Sequence, residues 1–221
     1  EGGIFMPFLF LSPSTQDFNP YVTTGNEQYW MNQLADRMEP YLFASGLNVT
    51  RNDPNGSAAQ SIRASNAGTY DFHLALHSNA SPEALAGRQR GVDIYYFPAS
   101  EEGLRMANIL VDNLKPIYPL PERVRALPTV LIGEVRRTKA PSVLAELETL
   151  PLPPVKSTTG RSDRSGSPAS SSAWAYVSSP WRYCTSWRAV LPRQRAQITA
   201  SRAARAFRNF GFMAFLPGVL E

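Results

Sequence analysis

The sequence predicts an α/β fold: a mostly parallel, mixed sheet with helices on both faces, forming one domain over residues 6–148, followed by an irregular basic C-terminal tail over 149–221. Three observations carry that expectation. Short apolar runs alternate with segments of helical period from Phe8 to Leu147, and such alternation builds parallel strands covered on both faces. A chain of 221 residues, 43% of them apolar, is long enough for one sizeable core. The periodicity stops after Glu148, where Pro, Ser, Thr and Arg take over.

Taken in order, Phe8 to Leu11 is an apolar run that ends at Ser12-Pro13, as a buried strand ends in a loop. A helix follows from about Asn26 to Ala44, because Trp30, Leu34, Met38 and Leu42 recur every four residues as one apolar stripe. Thr24 or Asn26 caps its start, and Gly46 sits where a C-terminal cap belongs. Leu47 to Arg51 reads as a strand and Asn52 to Gly56 as a turn. Ser57 caps a short helix that runs through Ser65 and stops at Gly68. From Asp71 to Asn79, Phe72, Leu74 and Leu76 alternate with His73, Ala75 and His77, so a strand presents both histidines on one face. Residues 80–91 form a loop of small and polar residues, and Val92 to Phe97 is another strand. Ser100 to Ile117 is a helix with Leu104, Ala107, Leu110, Val111 and Leu114 inward. Residues 118–140, interrupted by proline and basic, read as a loop with short pieces of structure, and Ser142 to Leu147 is the last strand.

Composition narrows the function. No stretch approaches the roughly 18 apolar residues of a membrane span. Ile4 to Leu11 is short, follows no basic residue and precedes no small-residue cleavage site, so it reads as a strand and not a signal peptide. The lone Cys184 leaves no internal disulfide framework and no thiolate zinc cluster. Ten of the 22 basic residues but only two of the 18 acidic ones fall in 150–221, so that stretch carries +8 and residues 1–149 carry −4. The pI near 9.4 belongs to the tail and gives the domain no nucleic-acid-binding character.

The tail itself admits several readings. Trp174, Trp181 and Trp187 sit among Ser, Pro and Arg, and Thr199 to Phe215 would form a basic helix with Ala203, Phe207 and Phe210 on one side. Such a helix suits an anionic polymer, a nucleic acid or a membrane surface. The preferred reading is a shifted reading frame, because the pattern is lost abruptly after Glu148 and Arg, Ser and Pro replace a balanced composition; a segment with no fixed structure is the alternative. Glu1-Gly2-Gly3 is what a read-through ribosome-binding site would encode, with Met6 as a natural start. On that reading the domain lacks its last helix, and its stability is marginal.

Four motifs resemble a known family. Asn26-Glu27 followed by Leu34-Ala35 is similar to the start of its first helix. Asp71 through Leu76-His77-Ser78-Asn79-Ala80 is similar to its strand ending in a histidine. Gly91 to Tyr96 is similar to the next strand, and Ala140-Pro141-Ser142-Val143-Leu144-Ala145-Glu146-Leu147 to the strand ending in its catalytic glutamate. The family is that of the zinc-dependent N-acetylmuramoyl-L-alanine amidases, type 3 catalytic domain. Leu11 to Gln16 resembles a variant branch. The resemblance implies hydrolysis of the amide between N-acetylmuramic acid and L-alanine in bacterial peptidoglycan, at the cell wall or outside the cell. It implies zinc held by two histidines and a glutamate, with water in the open position. Mapped by motif, Glu27 and His77 are metal ligands and Glu146 is the general base and acid.

The pattern departs at the remaining ligand: Thr15 stands where the family carries a histidine, and the chain has only two histidines. His73 is the candidate substitute, but four residues of strand span roughly 13 Å and zinc–nitrogen bonds are about 2.0–2.1 Å, so both rings reach one ion only if the strand kinks. The other role for His73 is partner to a nearby carboxylate. Each residue also has a plainer reading. His77 would be a hydrogen-bonded structural histidine, Glu27 an acid complementing a helix dipole, and Glu146 an edge acid facing water. Arg136 and Arg137 either bind the acidic stem peptide or are exposed loop charges. The rival function is a non-catalytic peptidoglycan-binding relative with a degenerate metal site. A basic nucleic-acid binder rests on the tail alone.

Overall fold

The computed structural model describes residues 7–21, 24–78, 91–147 and 197–203. Six strands form one sheet: β1 (Phe8–Pro13), β2 (Asn48–Arg51), β3 (Phe72–His77), β4 (Val92–Tyr96), β5 (Val124–Pro128) and β6 (Ser142–Leu147). The helices are α1 (Glu27–Ala44), α2 (Ala58–Ala67), α3 (Glu101–Leu114) and the single turn α4 (Gly133–Arg136). The spatial order is β2-β1-β3-β6-β4-β5. All neighbours are parallel except β4 and β6, which are antiparallel. The sheet is therefore mixed and mostly parallel, as expected.

Alternation along each strand sorts the side chains into two faces. Leu9, Leu11, Phe72, Leu74, Leu76, Val143, Ala145, Val92 and Ile94 form the main core with Met31, Leu34, Ala35, Met38 and Leu42 of α1 and Met106, Ala107, Leu110 and Leu114 of α3. The opposite face carries the smaller cluster of Ala75, Leu144 and Val135 of α4. It also carries Ser12, His73, His77 and Glu146, because these occupy the alternate register positions. Both faces of β3 are thus buried, and its polar set lies inside the molecule.

Local signals account for the helix ends. Asn26 accepts from the Tyr29 backbone N–H, Ser57 from Gln60 and Ser100 from Gly103, each as an N-cap. Gly46 takes φ +74°, the left-handed conformation that closes α1 at low cost.

Two expectations change. Residues 118–140 hold a full strand, β5, and α4. Pro121, Pro128 and basic side chains hid β5, which pairs only with β4 at the sheet edge, where alternation is weak. Leu104 is 39% exposed, and Met106 takes the inward position on α3. The expected loop at 80–91 lies, except for Gly91, outside the described residues, as do Met6, the stretch 148–196 and the helix expected beyond residue 203. Residues 197–203 are helical, with Ala200 and Ala203 fully buried in the main core and Arg202 Nη1 donating to the Gly46 carbonyl at 2.9 Å.

Candidate active site

The parallel strands β1, β3 and β6 end together, and in open α/β sheets ligands bind at such carboxyl ends. His77 is the last residue of β3. Glu27 opens α1, with a carboxylate 1% exposed. Glu27 Oε1 lies 2.9 Å from His77 Nδ1. Asn19 Nδ2 donates to Glu27 Oε2 at 2.6 Å, and the Ser78 N–H approaches Oε1 at 3.4 Å.

The other nitrogen of His77 meets a second buried carboxylate that the sequence did not single out. His77 Nε2 lies 3.3 Å from Glu134 Oε2. Ser12 Oγ donates to Glu134 Oε1 at 2.6 Å. His73 Nε2 lies 3.3 Å from the same oxygen, off the line of a hydrogen bond, so this buried nitrogen has no hydrogen-bond partner. His73 Nδ1 is 3.0 Å from Ser65 Oγ, and its ring stacks on Phe10 at 5.2 Å. The structure therefore brings His73 to Glu134 and not to the Glu27–His77 pair.

Charge follows the geometry. Burial opposes the charge on His77, but Glu134 and then Glu27 push its pKa up to about 10. Burial would raise Glu134, yet His73 and His77 hold its carboxyl well below the usual carboxylate range. Burial likewise would raise Glu27, and the bond and charge of His77, with Ser14 and Asn19, hold it low. Without a metal the cluster is an imidazolium between two carboxylates.

Glu146 stands beside His77 in register on β6 and opposite Asp93 of β4. Asp93 is itself clamped by Arg125, whose Nε and Nη2 each donate at 2.9 Å. Glu146 lies close enough to Tyr21 for its charge to act on the phenol: burial pushes Tyr21 up to about 12, against the Ser78 bond and with the charges of Glu27 and Glu146. Tyr21 hydrogen-bonds Ser78 at the end of β3.

A cleft of about 340 Å³ opens here, with His77 and Glu134 among its walls and Thr15, Gln16, Asp17 and Phe18 along one side. Phe18 is 77% exposed. Thr15 is thus at the site, and Gln16 Nε2 comes to 3.3 Å from His77 Nδ1. Arg136 and Arg137 are not among the residues lining the cleft.

The sequence profile of the N-acetylmuramoyl-L-alanine amidases matches residues 16–155, which include Glu27, His73, His77, Glu134 and Glu146. The chain belongs to that family. Among solved structures it is similar to the amidase AmiC2 of Nostoc punctiforme, at 13% identity and TM-score 0.57, over 94% of this chain and 98% of that one. An amidase from Clostridium difficile 630 aligns at 15% identity and TM-score 0.56, over 64% of this chain and 78% of that one. Ami1 from Mycobacterium smegmatis aligns at 14% and 0.55, over 92% and 96%. At these identities the structural likeness shows the shared α/β fold. Comparison with curated protein sequences gives no match.

Family members are generally zinc-dependent, so the residues of this amidase can be tested against zinc. Imidazole and carboxylate donors suit it in kind. Two donors on one tetrahedral zinc stand about 3.3 Å apart for bonds of about 2.0–2.1 Å. Glu27 Oε1 and His77 Nδ1, at 2.9 Å, need only a small separation to admit an ion. Among the described residues no three His, Cys, Asp or Glu side chains converge as a complete cage. The fit is thus a two-residue one, with the Gln16 amide as the next polar group at His77 Nδ1. Sequence reasoning missed Glu134 because nothing in its local pattern marks it; its one positional signal is lying shortly before the strand that carries Glu146.

Proposed function

We propose that this amidase hydrolyses the amide between N-acetylmuramic acid and L-alanine in bacterial peptidoglycan, with zinc held by Glu27 and His77 and with Glu146 carrying the proton. The observation behind this is the buried Glu27–His77 pair beside a cleft at the strand ends, with Glu146 next to His77 in register. Zinc bound there would supply a Lewis acid that brings the pKa of a coordinated water to roughly 7. Glu146 holds at its carboxylate the proton given up by the attacking water. It returns that proton to the alanine amine as the C–N bond breaks, so the products are the lactyl acid and a free amino terminus. His73 acts through Glu134, since its two ring nitrogens face Ser65 and Glu134. The catalytic unit is residues 6–148, and its place of action is the cell wall or outside the cell.

One observation favours the rival reading, a peptidoglycan binder without catalysis: Thr15, not a third nitrogen donor, faces the cleft. Zinc stoichiometry on the purified chain separates the two, measured beside Glu27→Ala and His77→Ala and paired with an assay for new amino groups released from purified peptidoglycan. About one zinc per chain, absent from both variants, with amino-group release, supports the amidase. No zinc at micromolar supply, with retained sedimentation on peptidoglycan, supports the binder.

A further inference from the structure

We propose that Glu134 is the positioning residue of this centre: it accepts a hydrogen bond from His77 Nε2–H and so turns Nδ1 toward Glu27. This rests on the reading of Glu27 and His77 as metal ligands. An imidazole that binds an ion through one nitrogen needs the other protonated and held by an acceptor, commonly a carboxylate. His77 has a carboxylate at each nitrogen, Glu27 at Nδ1 and Glu134 at Nε2. The two ring nitrogens point in different directions, so one ion cannot take His77 together with both acids.

The surroundings decide which acid serves the ion. The Nδ1 side is where Gln16 and Ser14 also gather, the segment from which the absent third ligand would come. On the Nε2 side Glu134 lines the cleft but is only 4% exposed, and its Oε1 is already taken by Ser12 Oγ at 2.6 Å with His73 Nε2 3.3 Å away. Ser65 holds His73 in turn. The backbone is tied down as well, since Thr138 Oγ1 donates to the Glu134 carbonyl at 2.8 Å and lies 2.8 Å from Ser142 Oγ on β6. A chain of polar contacts, Ser65–His73–Glu134–His77–Glu27, thus runs from the interior past the cleft wall at Glu134 and His77 to Glu27.

The test uses the full chain stripped of metal, with zinc affinity read by chelator competition and the coordination read from the absorption spectrum of bound Co²⁺. Glu134→Gln keeps the shape and still offers an oxygen. It should weaken zinc roughly 10–100-fold while keeping one zinc per chain and the wild-type cobalt band. Glu134→Ala should weaken zinc further. Affinity equal to wild type in both variants would sink the proposal. A lost site with an altered cobalt band in Glu134→Gln would also sink it, by making Glu134 a ligand. Should Glu134→Ala fail to fold, Glu134→Gln decides alone. A wild-type chain that takes up no zinc overturns the ligand reading of Glu27 and His77, and the positioning role falls with it.

Discussion

His77 between two buried carboxylates is a high-stakes arrangement at the scale of the residue. Glu27 and Glu134 are nearly inaccessible to water, and the imidazolium between them is what makes two buried negative charges tolerable in the metal-free protein. Removing one member of such a buried ionic group costs about 3–5 kcal/mol. His77→Ala should therefore lower the denaturation midpoint in metal-free buffer as well as abolish zinc uptake, which urea unfolding in the presence of a chelator would read. An unchanged midpoint would mean the acids take up protons or water freely and the site is looser than its contacts. Glu146 is a different case. Glu146→Gln should leave zinc stoichiometry intact and reduce amino-group release roughly 10²–10⁴-fold, the usual worth of a positioned proton carrier. Comparable loss of zinc and activity would instead make Glu146 part of the metal site.

Whole elements set where these side chains can go. The first turn of α1 carries Glu27, and Asn26 fixes that turn by accepting from Tyr29 N–H at 2.8 Å while its amide donates to the Asp17 carbonyl at 2.9 Å. Asn26→Ala should cost about 1 kcal/mol, a fall of about 2–4 °C in thermal midpoint for a chain of this size. It should also weaken zinc, because the displaced turn carries a ligand; calorimetry and chelator competition on one sample test both. A drop in midpoint with unchanged zinc affinity would show that the bonds from Asn19, Ser14 and His77 position Glu27 without the cap. The same scale explains why α1, α2 and α3 were legible and α4 was not. Helices of 10 to 18 residues show a 3.6 period and a cap. A four-residue turn shows neither, although it delivers Glu134.

Across the whole molecule the sheet separates two jobs. One face is packed for stability by α1 and α3, and the other, under α2 and α4, holds the polar cluster. Residues 197–203 join the first job, with Ala200 and Ala203 buried against the main core. Deleting 149–221 should then expose apolar core surface, at roughly 25 cal/mol per Å², against a total stability of only about 5–15 kcal/mol. The truncated chain should melt below the full one by thermal unfolding. Identical midpoints would mean the tail adds nothing to the core, in keeping with its composition.

The sequence by itself determined what local periodicity and short-range bonding can encode. Alternation in Phe72 to His77 put both histidines on one face, Ser57 and either Thr24 or Asn26 were legible as helix caps, and the motifs singled out Glu27, His77 and Glu146. Even so, the alternation of β3 suggested one polar face and could not say that this face was covered. Only the tertiary structure decided how the cluster closes. Glu134 meets His77 across 57 positions of chain, and Ser12 meets Glu134 across 122. Such contacts follow from strand order and crossover packing, which no window of a few residues contains. The same holds for His73: its spacing from His77 is fixed by the strand, but its partner is chosen by α4 folding over β6.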